Sequence, residues 1–170
     1  MMITLDALTL QDVQAVRDWL NNALETLRTP YMLTAKMQED FYNGLSREAR
    51  MRYWALRYKA RTVGMGGLIG IEWENRLAEI SLIIDPYHQK MGFGTKAVEL
   101  VLVQGFKNMN LRTVYGECYL CNPALAFWQK VCNKYQAYTT ILPDRKYWNG
   151  EYYDSLYFSI GGDNFELDGD

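Results

Sequence analysis

Between residues 83 and 97 the chain reads Ile83-Ile84-Asp85-Pro86-Tyr87-His88-Gln89-Lys90-Met91-Gly92-Phe93-Gly94-Thr95-Lys96-Ala97. A β-rich run stops at Pro86, which has no N–H to give to a ladder. Glycines at 92 and 94 mark a turn, and a helix is predicted over 95–108, with Val98, Val101, Leu102 and Phe106 on its apolar face. Backbone N–H groups of such a loop, together with the helix N-terminus, converge on one spot and suit a phosphate or pyrophosphate. Gly92 and Gly94 allow close approach of a ligand and any positive φ the turn needs. The helix dipole supplies only about 0.3–1 kcal/mol at an exposed site, so the hydrogen bonds must carry most of the grip. Lys90 and Lys96 add charge. A lone Gly-x-Gly before a helix also serves as a plain tight turn, and this one is neither Gly-x-Gly-x-x-Gly nor a P-loop. From the residues alone the segment reads as an anion cradle or a turn.

The flanking pattern places this unit in an α/β (α+β) domain. A short strand over 3–8 leads to Thr9 and Asp12, the Ser/Thr-x-x-acid start of a helix that carries Val13, Val16 and Leu20. Thr34 caps a second helix with Met37 and Phe41, closed by Gly44. Alternation over 51–59, a glycine-weakened strand over 63–73 and a third over 77–85 form an antiparallel meander. After the central helix come a strand over 113–120, a helix from Asn122-Pro123 through 131, and strands over 135–142 and 152–160 joined by residues 143–150. The order βααβββαβαββ implies one mixed, mostly antiparallel, twisted sheet flanked by four helices. The domain is expected over 1–162, with an acidic, flexible tail over 163–170.

Composition removes several classes. At 170 residues with 49% hydrophobic content the chain suits one domain with a real core. A net charge of -2 leaves no basic surplus for bulk nucleic-acid binding. No run reaches the roughly 18 apolar residues of a membrane span, and the start lacks the pattern of a secretory leader. Three cysteines argue against a disulfide scaffold and for a reducing, cytoplasmic setting. Cys118 and Cys121 would face opposite ways on a strand, and a single histidine, His88, completes no metal site, so no metal is expected.

Gln89-Lys90-Met91-Gly92-Phe93-Gly94 resembles the Gln/Arg-x-x-Gly-x-Gly/Ala signature of the GCN5-related N-acetyltransferases (GNAT), in which this loop holds the pyrophosphate of acetyl-CoA. The resemblance spans nearly the whole chain. Residues 78–86 look like the family's fourth strand, 110–120 its fifth, and 122–131 its fourth helix, and the element order is also the family's. Residues 17–21 and 147–154 are similar to patterns in three branches: spermidine N-acetyltransferases, nucleotide-sugar N-acetyltransferases of pseudaminic acid synthesis, and ribosomal-protein alanine N-acetyltransferases.

The resemblance implies direct acetyl transfer from acetyl-CoA to a primary amine of a small molecule, a polyamine or an amino sugar, with a protein N-terminus as the second choice. It implies that Leu82, Ile83 and Ile84 present backbone to the pantetheine arm. It also implies that Gln89, Lys90, Met91, Gly92, Phe93, Gly94 and Thr95 hold the pyrophosphate, and that Asn122 and Trp128 border the carrier. An aliphatic ammonium must lose a proton before it attacks. Glu79, inside an apolar strand, is the first candidate base, because burial raises a carboxyl's pKa; Glu117 is the reserve. Arg28, Tyr31, Trp148 and Asp154 are candidate acceptor-binding residues, with Tyr147 beside Trp148. Family members often have a thiolate-protonating Tyr near Trp128, whose indole N–H is no practical acid; either Tyr119, Tyr135 or another tyrosine serves, or the thiolate leaves unprotonated, or activity is impaired. The competing class is a non-catalytic CoA-binding or assembly domain on the same fold. A homodimer is compatible with either.

Overall fold

The computed structural model describes residues 2–28 and 30–165. Among the described residues the elements are β1 (Thr4–Ala7), α1 (Leu10–Asn21), α2 (Ala35–Leu45), β2 (Arg52–Tyr58), β3 (Arg61–Glu72), β4 (Leu77–Ile84), α3 (Phe93–Val103), β5 (Thr113–Tyr119), α4 (Leu125–Lys134), β6 (Tyr138–Trp148) and β7 (Glu151–Gly161). The order is the one the sequence pattern implies.

Capping chemistry fixes the first two helices. The Asp12 N–H donates to Thr9 Oγ1 at 3.3 Å and the Thr9 N–H donates to Asp12 Oδ2 at 2.8 Å, a reciprocal box. The Met37 N–H donates to Thr34 Oγ1 at 3.2 Å at the start of α2. Asp12 is only 3% exposed because it does a second job. Arg57 of β2 closes on it with contacts of 2.6 and 2.9 Å, and Thr62 of β3 donates to it at 2.5 Å. One carboxylate thus caps α1 and clamps that helix to the β2–β3 hairpin.

The seven strands form one sheet in the order β1-β2-β3-β4-β5-β7-β6. All neighbours are antiparallel except β4 and β5. α3 lies on β3 and β4, and α4 on β5 and β7. Val98, Val101 and Leu102 of α3 meet Leu68, Ile80 and Val114 of the sheet and Val131 of α4 in one core. The glycines of β3 do not weaken it as a strand. A Cβ at Gly66 would stand 2.9 Å from Val101 Cγ2, and one at Gly67 would run into the Tyr53 ring. They let a helix and an aromatic ring close onto the middle of the sheet.

Several boundaries differ from the sequence reading. α3 begins at Phe93, not 95, and its α-helical part ends at Val103; residues 104–108 continue as a single π turn. α4 begins at Leu125, because Asn122 caps the preceding turn instead: its Oδ1 accepts the Ala124 N–H at 2.8 Å and its C=O accepts the Leu125 N–H at 3.0 Å. The expected connector 143–150 is mostly strand. β6 runs to Trp148, and Asn149-Gly150, with φ of 50° and 87°, makes the two-residue turn into β7. β6 tolerates Pro143 because it is an edge strand and bulges there, with the three residues between Leu142 and Lys146 standing opposite the single residue Asp154 of β7. The ordered core also passes the expected boundary at 162: Phe165 is 4% exposed and packs against Phe106 and Tyr135. The rest of the expected tail, 166–170, lies outside the described residues.

Candidate active site

β4 and β5 run parallel for only three residue pairs: Leu77 with Thr113, Ala78 with Val114 and Glu79 with Tyr115. Past that point the sheet opens. Among the described residues the β5-facing edge of β4 from Ile80 onward has no strand partner, so its backbone N–H and C=O groups face a cleft and call for a ligand to pair with. Leu82, Ile83 and Ile84 lie on this stretch.

The same strand leads into the glycine turn. Asp85 Oδ1 accepts the Tyr87 N–H at 3.0 Å, and Asp85 Oδ2 lies 2.8 Å from His88 Nδ1, which fixes the single histidine. The Gln89 side chain donates back to the Ile84 C=O at 3.3 Å. Lys90 and Gly92 both take positive φ, 60° and 84°. Gly92 is the N-cap of α3 and offers no side-chain cap, so the first-turn amides of Phe93, Gly94 and Thr95 have no partner within the helix. No atom lies within 4 Å of the place a Gly92 Cβ would take. The Phe93 ring, by contrast, is wholly buried against Leu56, Val63 and Tyr58, so only its backbone serves the turn. Gly94 is needed for packing as well, since a Cβ there would meet the Phe127 ring at 3.1 Å. Lys96 is paired with Glu99. Uncapped amides, left-handed backbone and open space together fit a diphosphate.

Where the strands part, a cleft of about 500 Å³ is lined by Arg28, Glu79, Tyr115, Glu117, Tyr119, Leu142, Arg145 and Tyr157. The side chains of Glu79 and Glu117 are 13% and 10% exposed. Arg28 pairs with Glu79 and comes within 3.9 Å of Glu117 Oε2. Glu117 also receives Arg145 Nε at 2.8 Å and the Ser155 hydroxyl at 2.7 Å. Burial pushes the Glu79 carboxyl above the usual carboxylate range; Arg28 offsets part of this and the charge of Glu117 adds to it. Burial acts on Glu117 too, but there the hydrogen bonds from Arg145 and Ser155 outweigh it and the carboxyl lies below that range. Burial raises the phenols of Tyr115, Tyr119 and Tyr157, which stay neutral.

The fold therefore brings Glu79, Glu117 and Arg28 together. Tyr31, Trp148 and Asp154 do not line this cleft. Tyr31 is half exposed. Trp148 lies beneath the buried Lys146, with Nζ 5.5 Å from its ring, and Tyr147 packs on Tyr152. Asp154 accepts the Asp144 N–H at 3.0 Å and so steadies the β6 bulge. Trp128, partly buried, stacks on Phe158 of the core, centroids 5.1 Å apart. Of the two tyrosines named as acids, Tyr119 lines the cleft and Tyr135 packs against Phe165. The sequence reading missed Arg145 and Ser155. The signal for them was Asn149-Gly150, which turns residues 143–148 from connector into strand and delivers Arg145 to the sheet.

A family model described as the acetyltransferase (GNAT) domain matches residues 3–130. The chain belongs to the GNAT acetyltransferase family. It is accordingly an N-acetyltransferase whose acyl donor is acetyl-CoA. It is 26% identical over 134 residues to a spermidine N(1)-acetyltransferase of Vibrio cholerae, an alignment covering 76% of this chain and 77% of that protein. The crystal structure of the V. cholerae spermidine N-acetyltransferase in complex with CoA and spermine superposes with a TM-score of 0.84 at 25% identity, covering 95% of this chain and 96% of that one. A crystal structure of mutant forms of the spermidine/spermine N-acetyltransferase from V. cholerae gives 0.82 at 25% identity, over 95% and 94% of the two chains. The GNAT match ends inside α4, so β6 and β7, which supply Arg145 and Ser155, are tied to these relatives through the structural superposition. Among the described residues no helix is long and apolar enough to cross a membrane.

Proposed function

We propose that the chain acetylates the primary amine of a small molecule, with Glu79 as the group that takes the amine's proton. The observation that carries this reading is the opening of β4 from β5 directly after Glu79, which sets the raised carboxyl at the edge of the strand whose free backbone continues to the uncapped end of α3.

Bound acetyl-CoA supplies a thioester carbonyl carbon that an amine can attack. The first-turn amides of α3 and the backbone of Gly92 would hold its diphosphate. The free edge of Leu82, Ile83 and Ile84 would pair with its amide-bearing arm and so orient it. Glu79 accepts a proton from the incoming ammonium, directly or through water. Its burial favours this, because a base whose pKa lies nearer the working pH is a better match for the task. Glu117, held ionised by Arg145 and Ser155, keeps a fixed negative charge beside it. Tyr119 is the neutral O–H donor in the cleft and takes the role of acid toward the departing thiolate. No covalent acyl-enzyme is needed. Cys118, the cysteine on β5, is buried and its thiol is pushed up to about 12 by that burial, so it is not a nucleophile at neutral pH.

The relatives named above act on spermidine, which makes a polyamine one acceptor to test; an amino sugar is the other. Unpaired cysteines, two of them buried, suit a reducing compartment such as the cytoplasm. The test is release of CoA thiol from acetyl-CoA across a panel of primary amines. Turnover on at least one small amine is expected, and acetyl-CoA binding without turnover on any would leave a non-catalytic domain.

A further inference from the structure

The acceptor cleft holds two carboxylates and two guanidiniums, so its charges cancel. Arg28 and Arg145 flank Glu117 from two sides, at 3.9 Å from Oε2 and 2.8 Å from Oε1, and Arg28 also covers Glu79. Lys146, 3% exposed, adds a positive charge behind the wall, its Nζ 5.4 Å from the Tyr119 ring and hydrogen-bonded to the Leu27 C=O. The other wall residues are neutral: Tyr115, Tyr119, Tyr157 and Leu142. A site built for a polycation would offer carboxylates in excess. Here both are engaged, and a chain of ammonium groups would enter against two guanidiniums whose side chains remain 58% and 49% exposed.

Those same guanidiniums have N–H groups to spare. Arg28 spends one amino group on the glutamates and also hydrogen-bonds the Tyr119 phenol, and Arg145 spends Nε and one amino group on Glu117, so neither fork is filled. A guanidinium offers five N–H donors in a planar fork that matches a carboxylate or a phosphate. Resting on the acetyl-transfer reading above, we infer that the acceptor carries an anionic group, carboxylate or phosphate, beside its primary amine, and that Arg28 together with Arg145 binds that group while the amine faces Glu79. Arg28 then swings from Glu79 to the anion. That exchange removes the cation covering Glu79 and frees its oxygens for the ammonium, so recognition of the anion and exposure of the base are one event.

Matched acceptors test this with the thiol-release assay on the intact chain. Putrescine is compared with 4-aminobutyrate, in which a carboxylate replaces one terminal CH2–NH3+ group, and glucosamine with glucosamine 6-phosphate; spermidine is run beside them. In at least one pair the anion-bearing member is expected to exceed both its partner and spermidine in kcat/KM by about tenfold or more, the worth of one charge-assisted hydrogen bond. Which pair responds distinguishes carboxylate from phosphate. R28Q is expected to erase that preference mainly through KM. Faster turnover of spermidine or putrescine than of either anionic amine, or a preference that survives R28Q, overturns the inference and leaves acetyl transfer standing. Silence on every amine overturns the acetyl-transfer reading and this inference with it.

Discussion

Glu79 and Glu117 face one cleft from two strands at the point where those strands separate, and their carboxyls are displaced in opposite directions. Glu79 is in register with Tyr115, and Glu117 lies two residues further along the same face of β5. Burial dominates at Glu79. At Glu117 the donors Arg145 and Ser155 overcome it. In the proposed mechanism these two like groups take different work, one as a proton acceptor and the other as a fixed charge.

The glycine turn is tested at Gly92. Its φ of 84° and the empty space around it mean that Gly92→Asp fits sterically but carries backbone strain of about 1–2 kcal/mol. The new carboxylate would fill the cradle and repel a diphosphate. Calorimetric titration should show acetyl-CoA affinity reduced by about a hundredfold or more, equivalent to roughly 2.7 kcal/mol. Undiminished affinity would place the carrier elsewhere on the protein.

The Asp12 clamp gives a stability prediction. Burial tends to raise this carboxyl, but Thr62, Arg57 and Thr9 together hold it below the usual range. A depressed folded pKa contributes stability above the unfolded value of about 4, and that contribution is lost as pH falls through the folded value. Asp12→Ala leaves Arg57 in a largely buried place with only the exposed Asp6, 3.7 Å from its Nε, as counter-ion, and should cost about 3 kcal/mol. Urea unfolding at neutral pH should show the full loss, and the gap from the wild type should narrow in acid. A constant gap at all pH values would mean that packing, not charge, is what Asp12 supplies.

Tyr119 and Trp128 separate two accounts of the general acid. Tyr119 lines the cleft, whereas Trp128 stacks on Phe158 in the core. Tyr119→Phe should lower kcat by about tenfold to a hundredfold with little change in acetyl-CoA affinity. Trp128→Phe keeps an aromatic face against Phe158 and should lower thermal stability while leaving kcat within about twofold. The reverse pattern would return the acid's role to α4.

Much of this molecule is legible in its sequence because the signals are local. Thr9 with Asp12 announces a capping box, Pro86 ends a strand, and Gly92 marks a left-handed turn. Glu79 stands out as a charge in an apolar strand. What the sequence concealed is long-range. Nothing local shows that β4 and β5 pair for only three residues, or that Arg145 reaches Glu117 across the sheet. Asn122-Pro123 has the composition of a helix start, yet Asn122 caps the preceding turn, because Asn serves both purposes equally well. The glycines of β3 lower its strand propensity, and only the packing of Val101 and Tyr53 explains why a central strand needs them.

The central claim is that Glu79 accepts the acceptor's proton, and the rate of CoA-thiol release against pH tests it most directly. A base with a raised pKa must be ionised to act, so the wild-type rate should fall as pH drops through that raised value. Glu79→Gln, with acetyl-CoA affinity unchanged, should be slower by about a hundredfold or more at neutral pH and should lack that acidic fall. A variant as fast as the wild type, with the same pH profile, would contradict the assignment.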